Sequence, residues 1–196
     1  MTIATTDRLV THIANVTRAD LEEADIEKAK VFLLDTLGVG IAGSSGANVA
    51  ELLATVRGWG NGDEATVWVT GERVSAQAAA IVNAYQIHCL EYDCVHEGAV
   101  VHPMATVLST IMAYAERRST QGRPVSGSDF MVAMIVGVDI AAYLGMAATG
   151  PVKFFRPATA GGLGATAAIA RLEKLEPNGI KSAMGNMYGQ TCGTLQ

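Results

Sequence analysis

The stretch from His88 to Pro103, HCLEYDCVHEGAVVHP, holds three of the chain's four histidines, two of its three cysteines and the carboxylates Glu91, Asp93 and Glu97. Imidazole titrates near neutral pH, so a histidine held beside a carboxylate can bind an anion or carry a proton. His102 is the first candidate for that role. It directly precedes Pro103, which biases its backbone away from the helical region and sets its ring at a helix entrance. Glu91 and Asp93 lie on the other side of the same loop, where a carboxylate can accept a proton or anchor the histidine. Zinc is the other chemistry such a set allows, through Cys89, Cys94, His88, His96 and His102. The cysteine spacing matches no closed Cys-x-x-Cys framework, and no metal is expected. A plainer reading leaves His88 and His96 as helix-surface or core histidines and Glu97 as a solvated side chain, with only the shape of the loop mattering.

The elements that must hold this loop are predominantly helical by periodicity. Residues 7–16 place Leu9, Ile13 and Val16 near one face. Residues 21–45 begin with an acidic turn and end in the small residues Gly38, Gly40, Ala42 and Gly43, and Asp35 within them reads as a core carboxylate with a hydrogen-bond partner. Residues 47–60 form a further helix that the glycines at 58–62 terminate. Residues 64–71, EATVWVTG, are the one clear extended segment, with Val67 and Val69 alternating against Trp68 and Thr70. Ser75 caps an Ala-rich helix that runs into the loop. Beyond it, helices are expected over 102–118, 126–145, from Pro157 to a stop at Pro177, and again to the last residue. The expected architecture is one all-α domain over residues 1–196, a helical bundle with at most one or two short strands.

Composition narrows the partners. The chain is 49% hydrophobic and 17% charged with a net charge of -5, and no Lys/Arg cluster offers a footprint for nucleic acid or an anionic membrane. The apolar run at 130–148 is interrupted by Asp139 and rich in Gly and Ala, which reads as a buried helix rather than a membrane span. No basic, apolar secretory pattern opens the sequence, and the odd number of cysteines, Cys89, Cys94 and Cys192, fits reduced thiols. A cytoplasmic location is expected. No glycine-rich phosphate loop follows a strand.

Three segments, KAKVFLLDTLGVGIAGS, AAAIVNAYQIHCLEYDCVHEGAVVHPMATVLSTIMAYAE and FFRPATAGGLGATAAIARLEKLE, resemble in that order the N-terminal helical domain of the MmgE/PrpD family. The resemblance extends over almost the whole chain. Family members include 2-methylcitrate dehydratase, cis-aconitate decarboxylase and iminodisuccinate epimerase. They act on small polycarboxylates, need no organic cofactor and move a proton at a carbon next to a carboxylate. The family pattern H-x-L-D-F-D-D-T-H-x-G-x-V-V-H-P aligns its histidines with His88, His96 and His102 and its first two acids with Glu91 and Asp93. The resemblance therefore implies His102, Glu91 and Asp93 as the catalytic group, and His88 and His96 as substrate-binding residues. Cys94 and Val95 depart from the family's Asp and Thr.

A second family segment, G-F-H-P-T-G-T-x-G-T-F-G, aligns on Gly161 and Gly164. It sets Phe155 where many relatives carry a functional histidine, with Arg156 beside it and Thr159 retained. Arg156 and Thr159 are thereby implied as substrate-binding, the guanidinium gripping a carboxylate bidentately. Members of the family are longer, adding an α/β domain, returning helices and a functional lysine, and they pair as homodimers. The resemblance thus implies a homodimer, a second chain that supplies the missing domain, or both. The function it implies first is a cofactor-independent lyase, a dehydratase on a polycarboxylate such as 2-methylcitrate. Isomerase, epimerase or decarboxylase action on a related acid is the alternative, and so is a non-catalytic assembly subunit.

Overall fold

The computed structural model describes residues 4–150, 153 and 155–191. Among them run α1 (Thr5–Asn15), α2 (Glu23–Gly43), α3 (Val49–Arg57), β1 (Ala65–Thr66), β2 (Arg73–Val74), α4 (Ala76–His88), α5 (Pro103–Thr120), α6 (Gly127–Ala147), α7 (Arg156–Leu172) and α8 (Pro177–Gln190). The all-α expectation holds, with the two short strands as its only extended pair among the described residues.

The helix starts follow local chemistry. Ser75 Oγ accepts the Ala78 N–H at 3.3 Å and Ser126 Oγ accepts the Asp129 N–H at 3.0 Å, so each satisfies a donor that the first helical turn leaves open. Pro103 and Pro177 each open a helix, where a missing N–H costs nothing. The helix expected to run on to Pro177 instead ends at Leu172. Lys174 turns left-handed at φ 52° and closes it, and Pro177 starts the next element.

The extended segment is also shorter than the alternation predicts. Only Ala65 and Thr66 pair, with Val74 and Arg73, and Val67 to Glu72 fold into a turn with Val69 at φ 69°. The reason lies on α4. The Asn83 amide donates to the Thr66 carbonyl and its oxygen accepts the Trp68 N–H, both at 3.0 Å, taking the backbone groups that a longer ladder would have paired.

Close backbone approach sets the centre of the bundle. A Cβ on Gly137 would stand 3.0 Å from the Gly164 carbonyl oxygen, and one on Gly164 would run into the Gly137 carbonyl, so α6 and α7 meet nearly backbone to backbone. Around them Ile13, Leu108, Ile111, Met134 and Ile180 are sealed from solvent, each burial contributing about 1.5–3 kcal/mol. By length and composition α6 is apolar enough to cross a bilayer, and half of it is buried inside this fold.

On α2 the sequence reading needs correction. Its buried face is Ile26, Ala29, Thr36, Gly40 and Gly43, which leaves Asp35 exposed rather than in the core. Val31, Leu34 and Ile41 share that outer side and are 63%, 74% and 56% exposed. From Val31 onward α2 carries apolar side chains on its exposed as well as its buried side, so periodicity gives little signal for which side packs.

Candidate functional site

The loop between α4 and α5 is a tight, partly buried structure. Ala99 and Val101 are sealed in the core on either side of Val100, which is held at φ 53°, a conformation that a β-branched residue adopts only when its surroundings impose it. The surroundings include α6, where a Cβ on Gly145 would stand 2.6 Å from the Ala99 carbonyl oxygen. His96 closes the turn. Its N–H donates to the Val101 carbonyl at 2.9 Å and its Nδ1 accepts the Ala99 N–H at 3.1 Å, which assigns the Nε2–H tautomer.

This clamp aims the two flanking histidines at one carboxylate. Asp93 has a fully buried side chain; its Oδ1 lies 3.0 Å from His88 Nδ1 and its Oδ2 lies 3.2 Å from His102 Nδ1. The first contact is a hydrogen bond, whereas the second is near enough but out of line, leaving Asp93 Oδ2 and His102 Nδ1 without a hydrogen-bond partner among the described residues. The imidazoles stand edge to face with centroids 4.7 Å apart. Glu91, at φ 54° and 72% exposed, brings Oε1 to 3.5 Å from His88 Nε2.

Charge follows from that arrangement. The Asp93 hydrogen bond and charge, helped by Glu91, hold the pKa of His88 above its ordinary 6.5 against the opposing effect of burial. Burial pushes the thiols of Cys89 and Cys94 upward, which favours their protonated form. Cys89 lies against the Gly43 carbonyl, and Cys192 falls outside the described residues. Among the described residues neither Cys89 nor Cys94 joins the ligand atoms of His88, Glu91 and His102, which lie within 4.8 Å of one another.

Both imidazoles open on a cleft of about 440 Å³ between α4, α5 and α7, walled by Leu52, Ile81, Tyr85, Ala105, Phe155 and neighbours. A His–Asp–His system at the mouth of an apolar cleft can bind one anionic end of a small ligand and exchange a proton with it.

The MmgE/PrpD N-terminal domain model matches residues 7–196. The chain belongs to the MmgE/PrpD family. It is similar to a cis-aconitate decarboxylase-like protein of Aspergillus oryzae, with 29% identity over 97% of this chain and 41% of that protein. The cis-aconitate decarboxylase of Aspergillus terreus is 26% identical over 93% of this chain and 38% of its own length, and the human cis-aconitate decarboxylase is 27% identical over 91% and 38%. The chain thus spans about two-fifths of the length of the curated relatives it matches.

Within this MmgE/PrpD domain the structure gathers some of the sequence candidates and separates others. His88, Glu91, Asp93 and His102 come together. His96 lines a different cleft, of about 560 Å³ between α2 and α6, with Phe32, Cys94, Val95 and Met134. Arg156 is turned away from the histidines: its Nη1 donates to the Ala99 carbonyl at 3.2 Å and its Nη2 to the Ala148 carbonyl at 2.8 Å. The guanidinium thereby ties the clamp loop to the end of α6. Thr159 Oγ1 donates weakly to the Arg156 carbonyl of its own helix at 3.3 Å. Phe155, by contrast, does reach the histidine cleft.

Sequence reading passed over Tyr85 and Ile81. Both line the cleft, and Tyr85 is fixed by donating its hydroxyl to the Ala47 carbonyl at 3.0 Å. A signal for them existed, since stepping back from His88 by three and seven residues along α4 stays on one helix face.

Proposed function

We propose that this chain forms the acid–base wall of a lyase acting on a small polycarboxylate, and that the reaction is decarboxylation of a cis-aconitate-like acid. The observation that carries the reading is Asp93 standing behind both His88 and His102. Support for decarboxylation comes from the names of the relatives. In such a reaction the bond to the departing carboxylate breaks and its electron pair forms a new double bond. The displaced alkene pair then takes a proton at its far carbon. His102 supplies that proton from Nε2, while protonated His88 holds a remaining carboxylate; Glu91 stands at the exposed rim.

A second reading, dehydration of a 2-methylcitrate-like acid, is favoured by the apolar wall of Leu52, Ile81 and Phe155, which accommodates an alkyl branch. There His102 takes the proton next to the carboxylate, and protonated His88 gives its proton to the departing hydroxyl, which leaves as water. Under either reading the remaining substrate contacts come from further polypeptide, as a second domain or a partner chain in a homodimer, and the site works in the cytoplasm without an organic cofactor. Phe155, Cys94 and Val95 argue for the assembly-subunit alternative.

The test is product analysis of the assembled, active-site-complete protein with each acid. Carbon dioxide released from cis-aconitate supports the first reading, and an alkene formed from 2-methylcitrate supports the second. Absence of both products from a folded assembly overturns the lyase proposal.

A further inference from the structure

We propose that His88, Glu91 and His102 form a binding site for a divalent transition cation of the Zn2+ class, with Asp93 as the group that orients both imidazole ligands. The inference rests on the geometry of this cluster and stands apart from the lyase reading. Each of the three residues offers one ligand atom, and all three atoms lie within 4.8 Å of one another. Imidazole nitrogen and carboxylate oxygen bind Zn2+ at about 2.0–2.2 Å, so the exposed Glu91 side chain needs only a small swing to close on an ion that the two histidines hold.

The buried carboxylate supplies the second, independent observation. A histidine that ligates through one nitrogen characteristically gives its other N–H to a carboxylate or carbonyl, which fixes the tautomer and raises ligand basicity. Asp93 faces Nδ1 of both rings, at 3.0 and 3.2 Å, which leaves Nε2 of each ring as the ligand atom, with an ion displacing any proton held there. Asp93 Oδ2 and His102 Nδ1 are moreover buried without a hydrogen-bond partner among the described residues, although they nearly touch. A modest turn of the His102 ring toward an ion completes that bond and satisfies two polar atoms whose isolation costs free energy.

Three protein ligands leave a fourth position for water or an incoming carboxylate, the open type of zinc site. The ion and the proton then compete for the same Nε2 atoms.

The experiment uses the chain stripped with chelator and titrated with Zn2+ by calorimetry, with Co2+ absorption as a second probe. One ion per chain is expected. Glu91→Gln and His102→Gln should each weaken binding at least about tenfold, and Asp93→Asn by the roughly 10–100-fold typical of an orienting partner. A Cys89→Ser/Cys94→Ser double variant should bind as the parent does. Circular dichroism checks each fold, and Glu91→Gln, altering an exposed side chain, decides the matter if the buried Asp93 variant unfolds. No saturable binding, binding indifferent to Glu91→Gln and His102→Gln, or binding lost with the cysteines overturns the proposal.

Discussion

His88 and His102, fourteen positions apart in sequence, stand edge to face with ring centroids 4.7 Å apart. What holds them so is Asp93, a carboxylate sealed from solvent whose two oxygens face one ring each. The three side chains form one contiguous cluster, whereas Arg156 and Thr159 are engaged with backbone and His96 bonds within the loop.

If His102 is the proton carrier, His102→Ala in the chelator-treated active enzyme lowers turnover by about 10²–10⁴-fold, the range for a general acid–base group, without loss of helical signal. Turnover within a few-fold of the parent in a folded variant removes His102 from the chemistry.

Asp93→Asn replaces the ionic partner of His88 with a neutral amide. The expected result is a fall of the His88 pKa toward 6.5, read by proton NMR, and a loss of about 1.5–3 kcal/mol of stability for a buried charge-assisted hydrogen bond. An unmoved His88 titration shows that Asp93 does not control it.

The same pair gives a pH dependence. His88 binds its proton more tightly folded than unfolded, so the stabilisation is fully present below about pH 6.5 and is lost as pH rises through the elevated native value. Urea unfolding of the chelator-treated chain across that window should show stability falling with rising pH, and Asp93→Asn should flatten that component. Equal slopes in the two proteins contradict the assignment.

Gly164→Val places a side chain against the Gly137 backbone, and α6 and α7 must separate to admit it. Overpacking of this kind costs about 1–3 kcal/mol, or more where backbone must shift, read as a lower unfolding midpoint. A midpoint equal to the parent's shows that the two helices do not meet this closely.

Arg156→Lys tests structure against substrate binding. The guanidinium bridges Ala99 and Ala148, so the lysine variant should lose about 1 kcal/mol of stability while KM stays within about twofold. A raised KM at unchanged stability restores Arg156 to the substrate.

The sequence alone determined most of the helices, the Ser75 and Ser126 caps and the loop that carries the candidate residues, because these depend on short-range physics. Ser75 and Ser126 satisfy donors within one turn, Pro103 fixes its own φ, and a loop crowded with titratable side chains is visible without coordinates. The likeness to MmgE/PrpD proteins was legible in the same local patterns, and the family match over residues 7–196 agrees with it. Only the tertiary structure decided which members of that loop lie together. The turn made by His96 and the strained Val100, pinned by Gly145 of α6 and Arg156 of α7, sends His96 to one cleft and His88 and His102 to another. It likewise exposed Asp35, cut the strand at Thr66 and brought Tyr85 and Phe155 to the histidines. Those outcomes depend on contacts between segments far apart in the chain, for which an α2 with apolar side chains on both its buried and exposed sides and a glycine-rich α7 leave little mark in local periodicity.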